Sequence, residues 1–300
     1  MRHVRIILFA AVALAAAAPA APQDKVEKLD LKELLKRHAL YLRKTETPEL
    51  KSRAVDGAVH LRVLVGGQAS LDGTASIVSE GEKRHVGMKF GHGAYNEENI
   101  VCDGGKISVG LINASRRSDL GHFLFTQDQV CKEGLFGGVL SSAWPLAAGA
   151  EGKGKLKYEG LKDVDGKKLH MIRYRTARKG GDLDITMYFD PHIYSHVRTV
   201  YQQTMRAGIA STPGVTETTP TPDSSRTESG ETLSARQQTH RVRLEEEFDD
   251  FRNSGGYAVP AKWRIRLTLE TQQSRVWEWV VNVSRVKNNE PVEAKTLEVK

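Results

Sequence analysis

Three groups of residues have types and spacings from which chemistry could be built. In "HIYSH", His192 and His196 stand four apart, which on a helix would put two imidazoles within reach of one metal ion. Asp190-Pro191 precedes them and "VRTVY" follows, so a turn leading into a strand is expected. In a strand the two rings share a face but lie about 13 Å apart, too far for one ion. Glu245–Glu247 and Asp249–Asp250 offer paired carboxylates of the kind glycosidases use; a run this acidic reads as a solvated edge. Neither a Gly-x-Ser-x-Gly elbow nor a His-Glu-x-x-His pair occurs.

The third group is "GLFGGVLSSAWPL", Gly134 to Leu146, apolar and uncharged in a chain that is otherwise densely charged. A phosphate loop needs a lysine after its last glycine, and a dinucleotide loop needs Gly-x-Gly-x-x-Gly. Gly134, Gly137 and Gly138 fit neither, and no cation lies in the stretch. Wound as a helix, Leu135, Phe136, Val139, Leu140, Ala143 and Trp144 fall within half a turn. Gly137, Gly138, Ser141 and Ser142 take the other side, and Pro145 ends the run. The stretch therefore reads as a short, weak amphipathic helix: either a movable cover over an apolar concavity or a helix packed permanently in a core. No catalytic residue, metal ligand or cofactor follows from any of the three groups, and the chain is expected not to be an enzyme.

The elements around them are mostly strands. "DLKELLKRHALYL" is one helix, with Asp30 as N-cap, Glu33 three positions on, and Leu31, Leu34, Leu35, His38 and Leu42 on one face. Alternating segments then follow: "AVHLRVLV", "GTASIVSE", "RHVGMKF", a hairpin turning at Asp103-Gly104, and a short strand "HFLF". Beyond the apolar stretch come "LKYEGL" and "KKLHMIRYRT", joined through Asp165-Gly166. "LDITMYFD", "SHVRTVYQQTM", a strand at 241–248, "KWRIRLTLE", "VWEWVVNVSRV" and a short "KTLEV" close the chain. Residues 211–237, rich in Ser, Thr and Pro, have almost nothing to bury and read as a disordered loop between two strands. About a dozen antiparallel strands with one apolar face suggest a curved sheet covered on its concave side.

The ends and the composition set the compartment. Arg2, His3 and Arg5, an apolar run over 6–18 and "APA" at 18–20 read as a signal peptide over residues 1–20, leaving a single domain over 21–300. No cysteine near the cut marks a lipid anchor. The net charge of +7 is interspersed with acids, which implies a solvated surface weakly attracted to anionic membranes and no nucleic-acid partner. Cys102 and Cys131 would pair in an oxidising compartment if their geometry allowed, or stand as two buried thiols.

Taken together, these features resemble the bacterial outer-membrane lipoprotein carrier family, the LolA/LolB-like fold. The resemblance is carried by the order of signal peptide, helix "ELLKRHALYL" and antiparallel strands, by "YFDPHIYSHVRTVY" at 188–201, and by the apolar interruption in mid-sheet. It implies a mainly β fold with a few helices: an unclosed half-barrel whose concave side is covered by short helices and holds the acyl chains of lipids or lipoproteins. The implied wall is Val59, Leu61, Val63, Met88, Phe90, Ile185, Met187 and Phe189. The implied lid is Leu135, Phe136, Val139, Leu140 and Trp144. A periplasmic, monomeric carrier in peripheral contact with the envelope and its membrane proteins follows. Each wall and lid position also suits an ordinary core, and Trp144, Trp263, Trp277 and Trp279 are large enough to fill a cavity. With a filled core the chain would instead be an envelope interaction or sensor module, binding through Arg116-Arg117 or the 211–237 loop.

Overall fold

A computed structural model describes residues 29–64, 68–112, 116–149, 152–177, 183–206, 239–270 and 274–299. The signal-peptide segment and the 211–237 loop lie outside these residues. The chain opens with α1 (Leu31–Leu42), capped as its sequence predicts: Asp30 Oδ1 accepts from the Glu33 backbone N–H at 2.8 Å. Leu34, Leu35, His38 and Leu42 are the buried stripe.

All twelve described strands form one antiparallel, unclosed sheet. The first five are β1 (Ser52–Leu64), β2 (Gln68–Glu80), β3 (Lys83–His92), β4 (Tyr95–Cys102) and β5 (Ile107–Val109). They step outward from the middle of the sheet to one edge. The next strand, β6 (Lys155–Val164), is the opposite edge. From it β7 (Lys167–Arg175), β8 (Leu183–Phe189), β9 (His196–Arg206), β10 (Thr239–Ser254), β11 (Tyr257–Glu270) and β12 (Arg275–Asn288) step back to the middle, where β12 pairs with β1. Tight turns set the returns. Asp165 (φ 52°) and Gly166 (φ 76°) both take left-handed backbone between β6 and β7, the conformation a two-residue hairpin loop requires.

Because β5 and β6 are opposite edges, residues 110–154 have to travel the width of the sheet. They do so across its apolar face. Ser118 caps α2 (Asp119–Thr126), its Oγ accepting from the Gly121 N–H at 2.7 Å, and α3 (Asp128–Lys132) follows. The sequence reading made "HFLF" a strand. It is helical because Leu120, Phe123 and Leu124 fall at helical spacing behind that cap, and all three are buried. The 135–144 stretch departs in the other direction. It contains only a single 3-10 turn, Gly138–Leu140, because Gly134, Gly137 and Gly138 adopt φ of 77°, 82° and 45°, which a right-handed helix excludes. "KTLEV" also fails as a strand: Ala294–Leu297 is a 3-10 turn that buries Leu297.

The core lies between the sheet and this crossing segment. Val59, Leu61, Met88, Phe90, Ile185, Met187 and Phe189 line the sheet side, each at most 5% exposed, and Val63 is half-buried. Leu135, Phe136, Val139, Leu140 and Trp144 meet them from the other side, none above 3%. The Trp263 indole packs edge-on to Phe136 at 5.4 Å, so the large rings do occupy the concave space. Cys102 and Cys131 are buried free thiols. Leu61, fully buried opposite Leu71 and Trp279, tests whether the wall is packed. Leu61→Ala is expected to cost about 2–5 kcal/mol, read as a lower urea midpoint at unchanged slope. A cost well under that range would mean a void already lies against the wall.

Candidate functional site

The candidate site is the place where the crossing segment, here termed the cover (residues 134–149), meets the sheet and α1. The cover has little regular structure of its own, so its backbone polar groups need partners elsewhere. Three come from the wall, and α1 holds one side chain of the cover. Arg53 Nη1 donates to the Val139 carbonyl at 2.7 Å. Glu246 Oε1 accepts from the Gly137 N–H at 2.7 Å. Ser79 Oγ accepts from the Ser142 N–H at 2.8 Å. The Trp144 indole N–H donates to His38 Nε2 at 3.0 Å, and His38 Nδ1 meets the Tyr194 carbonyl at 2.8 Å. That carbonyl can only accept, so His38 carries its proton on Nδ1 and is neutral.

Sequence reasoning read Glu245–Glu247 as a solvated edge. Strand alternation divides the run instead. Glu245 and Glu247 pair with Arg198 across the outer face, Glu247 also with Arg264. Glu246 points inward and is fully buried, in phase with Val242, Leu244 and Phe248. It accepts from Gly137 N, from Trp263 Nε1 at 3.0 Å and from Tyr201 Oη at 2.8 Å. Burial pushes its carboxyl up to about 7 against those three hydrogen bonds. Glu98 is alike: buried, bonded to Ser118 Oγ and Tyr95 Oη, and raised to about 7 by desolvation. The period of two that turns Glu246 inward was present in the sequence.

The histidine pair divides as its turn predicts. His192 is exposed in the turn before β9. His196 is buried, stacked on Trp144 at 4.6 Å, with Nε2 against Thr199 Oγ1 at 2.8 Å. Burial holds His196 well below the usual imidazole range, and His38 at about 4. Both are packing groups of the cover. Among the described residues no three His, Cys, Asp or Glu side chains come together as a metal would need. Arg116 is exposed beside Asp119 at 3.9 Å, and the Arg117 guanidinium sits 4.1 Å over the half-exposed Phe125 ring. That pair stands away from the cover's anchors.

Between the C-terminal end of α1, the cover and the start of β11 is a cleft of about 280 Å³. Its lining includes Leu42, Leu50, Val139, Trp144, Pro145 and Tyr257, together with Arg43, Glu49 and Arg53. Two of the implied lid residues, Val139 and Trp144, thus line a surface-connected space. The other three close the core beneath it. The sequence reading began this strand at Ala58 and so left Arg53 outside it, although Arg53 shares the buried phase of Val55, Val59 and Leu61.

The raised carboxyl of Glu246 makes stability depend on pH. The folded chain keeps that proton up to about pH 7, whereas the unfolded chain releases it near 4.5. Between those values raising the pH therefore removes stability. Glu246→Gln keeps an oxygen for Gly137 and Trp263, and Tyr201 can turn its hydroxyl to accept from the new amide. The variant is expected to gain on the wild type steadily from pH 4.5 to 7, by on the order of 3 kcal/mol, and then run parallel to it. Urea unfolding at several pH values reads this; a constant difference would remove the assignment.

No family model matches the sequence, and no curated protein matches it. Solved structures do align with it. A LolA superfamily protein of Nitrosomonas europaea is 10% identical, covers 90% of this chain and 98% of its own, and has a TM-score of 0.46. A DUF1329 family protein of Desulfovibrio piger is 10% identical over 89% of this chain and 95% of its own, at 0.47. A domain of Vibrio parahaemolyticus described as a putative outer membrane lipoprotein-sorting protein is 8% identical over 89% and 97%, at 0.44. The unclosed, covered sheet stands on the topology of this chain itself.

Proposed function

We propose that the protein binds acyl chains of a lipid or a lipid-anchored protein under its cover, and carries them in the periplasm without chemical turnover. One observation carries this reading. The apolar side of an unclosed sheet is covered by a segment with almost no helix, held through a few polar contacts to the wall. Magnitudes agree with an exchange. Leu135, Phe136, Val139, Leu140, Trp144 and Leu146 are buried, each worth about 1.5–3 kcal/mol, so exposing them costs on the order of 10 kcal/mol. A sixteen-carbon chain returns about 0.8 kcal/mol per methylene, which is similar in size. A cover replaced by a chain at near balance gives loading and release. A balance far to either side would give a permanent core or a permanent ligand.

A second reading is favoured by the packing itself, since cover side chains and indoles fill the concave face. In that case the protein is an interaction or sensor module of the envelope with no lipid ligand. Movement of the cover separates the two. The Ser142 N–H to Ser79 Oγ contact brings those residues close enough for a cross-link. Ser79→Cys with Ser142→Cys is expected to take up a fluorescent fatty acid when reduced and lose uptake when oxidised. Leu140→Asp is expected to weaken uptake by the single-chain protein. Equal uptake in both redox states would overturn movement of the cover. No uptake by a folded wild type, and no lipid in its organic-solvent extract, would overturn the carrier reading.

A further inference from the structure

Arg53 is the buried charged residue of the cleft, and its packing leaves its chemistry incomplete. It is 3% exposed. Its Nε donates to Asn288 Oδ1 at 2.8 Å, its Nη1 to the Val139 carbonyl at 2.7 Å, and its guanidinium lies 5.6 Å over the Tyr257 ring. All three partners are neutral. Among the described residues no carboxylate forms an ion pair with it, and its Nη2 has no hydrogen-bond partner. A buried cation without an anion is costly, and the pairing of such groups is the general rule. Burial accordingly draws the Arg53 pKa down to about 10, which leaves it charged at neutral pH.

The surroundings say what kind of anion would complete it. The cleft that Arg53 lines is otherwise walled by Leu42, Leu50, Trp144, Pro145, Ala147 and Tyr257, so a small hydrated ion would leave apolar wall unsatisfied. Its volume of about 280 Å³ lies just below the roughly 300–1,000 Å³ of pockets that hold drug-sized ligands, room for one chain and not for several. Arg43 and Glu49, both exposed, stand at the same cleft; with Arg53 they leave one net positive charge, which suits a single negative head. We propose that this cleft is the recognition site for a single-chain anionic amphiphile, its oxyanion head on Arg53 and its chain against Leu42, Leu50 and Trp144. The proposal rests on the acyl-binding reading and adds the head group to it. Arg53 would then have two tasks: Nη1 holds the cover at Val139 while Nη2 receives the ligand.

Head-group selectivity tests this with the wild-type protein. Dodecanoate, dodecyl phosphate and dodecanol are titrated calorimetrically below their micelle concentrations, with acetate and inorganic phosphate as chainless controls. Both anionic probes are expected to bind at least about tenfold more tightly than dodecanol, the value of one hydrogen bond to a charged group. Arg53→Gln is expected to bring the three within about twofold while still binding dodecanol, and Arg53→Lys to restore part of the difference. Arg275 is exposed at the start of β12, remote from the cleft; Arg275→Gln changes the net charge equally and is expected to leave the selectivity in place. Equal binding of dodecanoate and dodecanol by the wild type, or selectivity that survives Arg53→Gln, overturns the proposal and leaves the acyl-binding reading standing. Acetate or phosphate binding as tightly as its dodecyl counterpart overturns the amphiphile assignment. If no dodecyl probe binds at all, the acyl-binding reading itself fails.

Discussion

The structure depends on the burial of one apolar sheet face. The twelve described strands do not close into a barrel and leave a concave surface of Leu, Ile, Val, Phe and Trp side chains, and such a surface cannot stay in water. Strand order decides what covers it. The chain starts in the middle of the sheet, builds outward to β5, and must resume at β6 on the far edge. The crossing over 110–154 is therefore forced by topology, and its apolar composition by the face it crosses. Covering this sheet with its own mid-sequence avoids the need for a second domain. It also places the cover between α3 and β6, continuous with the sheet it covers.

Much of this was legible in the residues, and the failures have local causes. Asp30 and the 3.6-residue period mark α1 correctly, and Asp165-Gly166 marks its hairpin, because each signal is satisfied by its immediate neighbours. The cover was legible as apolar and uncharged, but not as to conformation. A helical wheel asks only which side chains share a face. It does not see that three glycines take left-handed backbone, a choice settled by contacts such as the Phe248 ring crowding the space over Gly138. "HFLF" misled in the same way: four residues are too few to tell the two periods apart, and the decisive signal was Ser118, four residues upstream.

The buried polar groups were the least legible part, and they are what the site is made of. Glu246 was hidden by acidic neighbours whose charges do face solvent, and Arg53 by a strand whose start was read at Ala58 when it begins at Ser52. Both observations share a reason. A wall that must hold a cover with unpaired backbone groups needs inward-facing donors and acceptors. These interrupt an apolar pattern at single positions, where composition averages them away. The implied wall and lid residues were found because hydrophobic faces are periodic. The anchors were missed because each keeps that period and places a polar side chain where an apolar one is expected.

The anchors also respond unequally to protons, and this sets the direction in which the cover loosens. Glu246 accepts hydrogen bonds from Gly137, Trp263 and Tyr201. Ionising it above pH 7 leaves every one of those donors correctly aimed and makes the acceptor stronger, so the hold on Gly137 survives although the buried charge is costly. Protonating His38 below about pH 4 places a proton on Nε2, the atom to which Trp144 donates. Two donors then face each other in a buried space already occupied by the His196 ring stacked on the same indole. The hydrogen-bond partners of His38 are the Tyr194 carbonyl and the Trp144 indole, neither of them an anion that would neutralise the new charge. The indole end of the cover is thus the anchor that acid removes, while the Gly137 end holds. Trp144 lines the cleft where Arg53 stands, so acid would weaken the hold on the cover beside the proposed head-group site.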